Sequence, residues 1–314
     1  MGSATSGYRY LFGPVPSRRL GRSLGIDMVP FKTCSFNCIY CQLGATTKLT
    51  TERRPYVGTS EIVAELDRWL AEDGDADYLT LSGSGEPTLN SEIEAIISFI
   101  RERTAIPIAL LTNGSLLWDP QVRKSVRHLD FLIPSLDAGT QECLERVNRP
   151  TPGLQMDDIV AGIVQARDEC EGAMWLEVML VAGVNDSKDE LAAIRRGIDV
   201  IRPDRVQINT VVRPPTEAYA KPLSPQQLQQ ARELLGPSAE IVAPLPEDYA
   251  GDSTHQETAE NVFDLLRRRP CTVNDVAVGL SIHPNEATKY VQALLSRNRI
   301  TAISKQGRTY YVPV

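Results

Sequence analysis

The sequence predicts an α/β protein that is built as a partial (β/α)6 barrel and followed by a small domain of a different kind. Between residues 24 and 235, short apolar segments alternate with amphipathic segments of helical period. This alternation is typical of a parallel sheet covered by helices. The roughly six units that we count are too few for a closed eight-stranded barrel. About sixty residues at the end follow another pattern, with three helical segments and a hairpin.

The strands are predicted from short apolar runs that turn-forming or polar residues bound. The first runs from Leu24 to Val29 and ends at Pro30. It leads directly into a loop that is rich in cysteine. The other predicted strands are 77–81, 106–111, 129–133, 175–181 and 205–209, with a last short strand at 241–243.

The helices between these strands are predicted from apolar stripes and from capping residues at their starts. Ser60 is expected to cap a helix that runs to about Ala71, and Ser91 a second helix. Pro120 is expected to start a short third helix, since proline suits the first helical turn. The remaining helices are predicted at 140–147, 156–170, 188–201 and 224–235.

The domain division is predicted from a change of composition near residue 245. Residues 1–244 are expected to form the barrel domain, 245–256 a linker, and 257–314 a second domain. In the second domain Thr272 is expected to cap one helix and Pro284 to begin the next. Three helices and a β-hairpin of this size are typical of a winged helix-turn-helix domain. The predicted hairpin joins 300–303 to 309–312 through a Gln306–Gly307 turn.

Composition excludes several classes of protein. Hydrophobic residues make up 42% of the chain and charged residues 23%, which are ordinary values for a globular protein. No apolar run approaches the ~18 residues of a membrane span, so we expect a cytoplasmic protein without membrane contact. The net charge of −7 argues against general nucleic-acid binding. From Glu257 onward, however, eight basic residues outnumber five acidic ones, so the second domain has a different surface.

Three of the six cysteines, Cys34, Cys38 and Cys41, lie within eight positions directly after the first strand. A thiolate is a strong ligand for soft metals, and such a group in a chain of this length indicates metal rather than disulfides. Three thiolates can hold three corners of a four-iron cluster and leave the fourth iron open. The scattered cysteines 143, 170 and 271 are expected to be small buried hydrophobic residues.

Zinc is the alternative for this loop, because Cys38 and Cys41 have the spacing of a zinc knuckle. Structural zinc requires four protein ligands, whereas the nearest histidine in sequence is His128 and no second Cys-x-x-Cys pair exists. A catalytic zinc would need a general base beside it, and no residue can be assigned to that role. The ligand count therefore favours the iron–sulfur cluster.

Polar or glycine-rich residues follow each predicted strand. In a parallel sheet the carboxyl ends of the strands meet at one edge, where α/β folds place their active sites. Each of these segments alone is a common turn, but we expect all of them to surround one opening together with the cysteine loop. They include Gly85, Glu86, Thr112, Asn113, Ser135, Asp137, Asn185 and Asn209, with Arg213 just beyond.

The Cys-x-x-x-Cys-x-aromatic-Cys loop, with Tyr40 as the aromatic residue, resembles that of the radical S-adenosylmethionine (SAM) superfamily. The resemblance covers roughly residues 10–215. It implies a [4Fe–4S] cluster on the three cysteines, SAM on its open iron, and an external electron donor of flavodoxin or ferredoxin type. The SAM-binding residues that it implies are Tyr40, Gly85, Glu86, Thr112, Asn113, Ser135, Asp137, Arg146 and Asn185.

The resemblance also implies the chemistry. A reduced cluster would cleave SAM to methionine and a 5′-deoxyadenosyl radical, which would abstract hydrogen from a substrate. Segments 13–21 and 84–88 are similar to the group that contains wyosine-type tRNA-modifying synthases, which makes a modified nucleobase or tRNA the first expectation. Those synthases carry further cysteines upstream, whereas none precedes Cys34 here. Arg18, Arg19, Asn209 and Arg213 are candidates for substrate binding.

Two alternatives remain open from the sequence. A cluster together with a winged helix could belong to a redox-sensing regulator that binds DNA, although a sensor does not need a barrel with polar strand ends. A radical SAM enzyme could also modify a peptide that docks on the winged helix. We therefore keep nucleic acid and peptide as possible partners of the second domain.

Overall fold

The computed structural model describes residues 8–17, 19–72, 74–212, 215–242, 253–268, 270–280, 282–305 and 308–314. Its main element is a mixed sheet of eight strands. These are β1 (Leu11–Ser17), β2 (Gly21–Ile26), β5 (Tyr78–Leu81), β6 (Ile108–Thr112), β7 (Phe131–Pro134), β8 (Ala173–Leu180), β9 (Arg205–Thr210) and β10 (Ala239–Ile241), while β3 (Thr33–Cys34) and β4 (Lys48–Leu49) form a separate pair. The strand order in the sheet is β1-β2-β5-β6-β7-β8-β9-β10. β1 pairs antiparallel with β2, and every later neighbour is parallel.

The parallel α/β architecture is confirmed, with strand ends that shift by at most three residues from the predicted positions. One strand of the large sheet was missed, as was the short pair β3 and β4: β1 was not predicted because its sequence contains Gly13, Pro14 and Pro16. Proline is tolerated here because β1 is an edge strand, and its pairing with β2 changes register between Phe12 and Val15.

The helices lie at the predicted places between the strands. Their bounds are α1 (Thr59–Ala71), α2 (Ile93–Arg103), α3 (Pro120–Val126), α4 (Gln141–Val147), α5 (Met156–Glu169), α6 (Lys188–Ile201) and α7 (Pro225–Leu235), with a 3₁₀ turn at Pro87–Leu89. The last of these helices begins one residue later than predicted, and Ser224 and Gln227 form a reciprocal capping box at the start of α7.

Two predicted caps are wrong. Ser60 lies inside α1, and the Glu92 carboxylate instead accepts hydrogen bonds from the amide and the hydroxyl of Thr59, at 3.1 and 2.6 Å. Ser91 does not cap α2, where the side chain of Asn90 accepts from the amide of Glu92 at 2.9 Å. The cap of α1 thus comes from a residue 33 positions away, which no local pattern reveals.

The two faces of the sheet pack differently. Along β8 the buried residues alternate with partly exposed ones, as the period of a strand requires. On the face turned away from the main core, Leu20 packs with Ala109 and Ile133, beside the rings of Phe131 and Trp175. Leu20 lies in the turn between β1 and β2, so this turn fills the inner face near the amino ends of the parallel strands.

The C-terminal residues form a unit with its own buried apolar cluster, which includes Val262, Leu266, Val276, Val291 and Leu294. Thr272 caps the second helix as predicted, since its hydroxyl accepts from the amide of Asp275 at 3.1 Å. The elements are α8 (Ser253–Arg268), α9 (Val273–Leu280), α10 (Pro284–Ser296), β11 (Ile300–Lys305) and β12 (Arg308–Pro313), and β11 and β12 form an antiparallel hairpin.

The predicted linker, residues 245–256, lies largely outside the described residues, and its last four residues belong to α8. The predicted turn at 306–307 also lies outside them. The three helices and the hairpin occur in the predicted order, while the domain boundary and the winged-helix class stay predictions. Across the part of the chain that the structure describes, every helix is too short or too polar to cross a bilayer. Cytoplasmic location likewise stays a prediction.

Candidate functional site

The cysteine loop lies at the carboxyl ends of the parallel strands and is fastened by backbone hydrogen bonds from two directions. The amide of Asn37 donates to the carbonyl of Asn148 at 2.9 Å, and that of Ile39 to Val147 at 3.0 Å. From the other side, the amide of Glu217 donates to the carbonyl of Ile39 at 2.9 Å. These contacts hold all three half-buried cysteines on the wall of a single cavity of about 320 Å³.

Each of the three sulfurs has a side-chain nitrogen donor beside it. Asn113 Nδ2 lies 3.6 Å from Cys34 Sγ, and Asn148 Nδ2 lies 3.4 Å from Cys38 Sγ. The third sulfur, that of Cys41, receives the ammonium of Lys32 at 3.0 Å. N–H donors of this kind stabilise thiolate sulfur and set the reduction potential of a bound cluster.

Burial keeps the free thiols of Cys34 and Cys38 neutral. Removal from water raises the pKa of Cys34 to about 12 and raises that of Cys38 as well, and the pKa of Cys38 is raised further by the charges of neighbouring groups. A bound metal would reverse this preference because coordination deprotonates a thiol. In the described residues, no group of three or more His, Cys, Asp or Glu side chains is placed to hold a single metal ion.

The loop after β5 supplies Gly85 and Glu86 to the same cavity. The buried Glu86 carboxylate accepts hydrogen bonds from the hydroxyl of Thr112 at 2.7 Å and from the amide of Asn113 at 2.8 Å. It therefore joins the end of β6 to the loop after β5, and burial raises its pKa. Gly85 is required by space, since a β-carbon there would lie 1.8 Å from the carbonyl oxygen of Thr33.

A second carboxylate, Asp137, organises the opposite side of the cysteine loop. It accepts hydrogen bonds from the hydroxyl of Tyr40, from Asn148 Nδ2 at 2.8 Å, and from the amide of Met179 at 2.9 Å. Burial outweighs these bonds and raises the pKa of Asp137 to about 6. Since Asn148 also faces the sulfur of Cys38, its carboxamide connects the cysteine loop to the segment that follows β7.

The structure brings most of the predicted site residues onto this one cavity, and those that line it are Arg19, Cys34, Cys38, Tyr40, Cys41, Gly85, Glu86, Thr112, Asn113, Ser135 and Asn209. Their contacts with cofactors and substrate stay predictions. Arg18 and Arg213 lie outside the described residues.

Three predicted residues do not line the cavity. Asp137 is buried behind it in the network described above. The carboxamide of Asn185 is fully buried and bonds only backbone groups, those of Asp137, Met179 and Val181, so it ties strand ends together. Arg146 lies at the surface, where it donates to the carbonyl of Val184 and pairs with Glu142. The same reason explains why all three are absent from the cavity wall: their polar atoms already have hydrogen-bond or ion-pair partners elsewhere in the protein.

Sequence reasoning missed three polar residues at the site. Lys32 precedes the first cysteine by two positions, and Asn148 follows the predicted SAM-binding Arg146 by the same interval. Glu177 lies in the middle of a strand, on the face that its exposure pattern turns toward the cavity. Only the period of that strand could have indicated it, because a glutamate in a strand usually faces water. Two of the scattered cysteines, Cys143 and Cys271, are buried as predicted, whereas Cys170 is only half-buried.

Comparison with known proteins places this geometry in a family. The model of the radical SAM superfamily matches residues 28–194. The chain is 30% identical over 302 residues to a UPF0026 protein of Helicobacter pylori, with 95% of each chain covered. A radical SAM methyltransferase from Sphaerobacter thermophilus has a similar fold, with a TM-score of 0.55 at 19% identity over 70% of this chain and 65% of that one. The chain belongs to the radical SAM superfamily.

Members of this superfamily are enzymes that use a [4Fe–4S] cluster and SAM, and the three thiols, their N–H donors and the cavity that they line fit both cofactors. A protein of Brachyspira hyodysenteriae named GTPase Obg is 37% identical over 292 residues, a match that covers 92% of this chain and 43% of that protein. The chain therefore spans less than half of that relative. The sequence of the present chain contains no Gly-Lys pair, which the phosphate loop of a GTPase requires.

Proposed function

We propose that this chain cleaves SAM reductively and abstracts hydrogen from a nucleobase of RNA, with tRNA as the first candidate. The observation that carries the proposal is the placement of three cysteines, Glu86 and Asn113 around one cavity at the carboxyl ends of a parallel sheet. Cys34, Cys38 and Cys41 would ligate three irons, and the loop that contains Gly85 and Glu86 would receive the methionyl part of SAM.

When bound, the cluster and SAM supply one-electron chemistry, in which an electron breaks the C5′–S bond of SAM and substrate hydrogen is then abstracted. The residues of the chain position SAM and the substrate and exclude water. The open (β/α)6 arrangement suits this task, because the turn that carries Leu20 fills the inner face near the amino ends of the strands. The cavity then accepts substrate from the carboxyl ends only, which protects a reactive species from solvent.

Three polar residues that line the cavity, Arg19, Glu177 and Asn209, favour a neutral, planar substrate group. Arg19 Nη1 lies 2.7 Å from Glu177 Oε2, and both side chains are only 15% exposed. Asn209 Nδ2 lies 3.2 Å from Glu177 Oε1. Because Glu177 compensates the charge of Arg19, this region is not a simple anion site. Adjacent donors and acceptors match the edge of a nucleobase, which also presents both.

We assign the C-terminal unit to the winged-helix class and propose that it binds the RNA substrate. Its three helices and hairpin, with eight basic against five acidic residues from Glu257 onward, support this assignment. The similarity of segments 13–21 and 84–88 to wyosine-type synthases supports RNA as well. Binding of a peptide in place of RNA to the C-terminal unit would contradict this proposal.

Deuterium transfer tests the substrate. Cluster-loaded protein is incubated anaerobically with SAM, a reductant and RNA from cells grown in heavy water, and 5′-deoxyadenosine is analysed by mass spectrometry. We expect one carbon-bound deuterium in the product, lost when the RNA is digested to mononucleotides beforehand. Product that stays unlabelled with RNA but is labelled by a deuterated peptide digest would replace RNA with a peptide substrate. Glu177→Gln should reduce labelling more than it reduces total SAM cleavage.

A further inference from the structure

Asp27, the residue directly after β2, lies behind the loop that lines the cavity with Gly83 and Gly85. Its buried carboxylate accepts a hydrogen bond from the amide of Ser84 at 3.1 Å and another from the Ser84 hydroxyl. The carbonyl of Ser84 in turn accepts from the amide of Lys32 at 2.7 Å. Asp27 thus fixes the residue between the two cavity-lining glycines.

Asp27 also packs directly against Gly83. A β-carbon at Gly83 would lie 2.4 Å from Asp27 Oδ1, and Gly83 has a φ of +142°, which favours glycine. The carboxylate and the loop backbone are therefore in close contact as well as hydrogen-bonded. A displacement of the carboxylate has to displace the loop, because a packed interior leaves no free volume between them.

The third partner of Asp27 comes from the C-terminal unit. His283, the residue that precedes α10, places Nε2 at 2.8 Å from Asp27 Oδ2. Its Nδ1 accepts from the amide of Asn285 at 3.2 Å, which assigns the proton to Nε2. The imidazole ring stacks on Phe12 of β1 with centroids 4.4 Å apart, and the side chain is buried. A neutral histidine therefore donates to a buried carboxylate 256 positions away in sequence.

We propose that His283 is a positioning residue for SAM binding, through which the C-terminal unit holds Asp27 and thereby the loop 83–86. The proposal rests on the proposed function, because it takes this loop as the surface that receives SAM. Without the imidazole donor, a buried carboxylate loses one of its side-chain partners and turns toward water or another donor. An occupant of the C-terminal unit that moved the start of α10 would then change the affinity for SAM.

Three substitutions of His283 separate the effect of its hydrogen bond to Asp27 from the effect of its packing against Phe12. His283→Phe retains a ring to stack on Phe12 and removes the donor. His283→Asn retains an acceptor for the amide of Asn285 but is too short to reach Asp27. His283→Gln places an amide nitrogen at the distance of Nε2 and restores the donor. His128→Phe, at an exposed histidine that pairs with Glu171, is the matched control.

The measurement is the dissociation constant of SAM for cluster-loaded, full-length protein, together with iron content per chain. His283→Phe and His283→Asn should raise the dissociation constant by about fivefold or more, as loss of a hydrogen bond to a buried charge predicts. His283→Gln and His128→Phe should stay within about twofold of the parent. Iron content should be equal in all of them, because no cysteine is changed.

Parental SAM affinity in a folded His283→Phe or His283→Asn variant would overturn the proposal, as would an equal loss in His283→Gln. If one of the two disrupting variants fails to fold, the other carries the test, because they retain different contacts. Failure of the parent itself to bind SAM would instead overturn the proposed function, so the two failures are distinguishable.

Discussion

At the scale of single residues, the most informative contact is that of Lys32 with the sulfur of Cys41. The Lys32 side chain is buried, its backbone has a φ of +58°, and its ammonium lies 3.0 Å from the sulfur. Non-glycine residues rarely adopt this backbone conformation, and burial of an ammonium is costly without a partner. If Cys41 ligates the cluster as we propose, its thiolate supplies that partner, and this would explain why a lysine occupies the position.

Removal of this charge should make the cluster harder to reduce. In Lys32→Met the cluster loses a positive charge and an N–H donor, both of which stabilise the reduced form. We expect a more negative midpoint potential, measured by redox titration with electron paramagnetic resonance, at unchanged iron content. Lys124→Met, at an exposed position of α3, is the control and should keep the parental potential. An unchanged potential in Lys32→Met would show that the ammonium does not act on the cluster.

At the scale of elements, local sequence signals located the strands and helices but not the groups that terminate them. Apolar period and the capping residues Asp119, Ser187 and Ser224 are local, so α3, α6 and α7 start at or within a residue of the predicted positions. The start of α1 depends on Glu92, which contacts it only after folding. β1 was missed for the related reason that its prolines are acceptable only at the edge of a sheet, and strand order is not a local property.

The distant cap makes a specific prediction about stability. Glu92→Ala should lower the free energy of unfolding by about 1 kcal/mol, because the amide and hydroxyl of Thr59 lose their acceptor. Ser60→Ala is the control and should leave stability nearly unchanged, since Ser60 is exposed and does not cap the helix. Denaturant unfolding of the apo-protein measures both. A larger loss of stability in Ser60→Ala than in Glu92→Ala would show that Ser60 caps the helix after all.

At the scale of the whole molecule, the site is assembled from segments that are far apart in the chain. The sequence located the cysteine loop and the polar strand ends, because both are local motifs that parallel topology brings to one edge. It did not locate the contacts that join distant segments across the fold. Arg19 and Glu177 are 158 positions apart and Asp27 and His283 are 256 apart. Such pairs depend on sheet curvature and on the docking of the C-terminal unit, neither of which has a local signal.

The pair of Arg19 and Glu177 can be tested as a contact across the fold. Arg19→Leu should lower the free energy of unfolding by about 3 kcal/mol, because it leaves a carboxylate in the cavity without its cation. The double variant Arg19→Leu, Glu177→Leu should recover much of this loss, since it removes both charges. Denaturant titration of the single and double variants gives the coupling. Additive effects would mean that the two side chains do not interact.

Formation of 5′-deoxyadenosine tests most directly whether the three cysteines hold a cluster that cleaves SAM. Cluster-loaded protein is reduced anaerobically with SAM, and the product is quantified by chromatography and mass spectrometry. The parent should form 5′-deoxyadenosine, Cys38→Ala should lose both cluster and product, and Cys170→Ala, at a half-buried cysteine outside the cavity, should retain both. A parent that carries its cluster and binds SAM, yet never forms 5′-deoxyadenosine, would contradict the account.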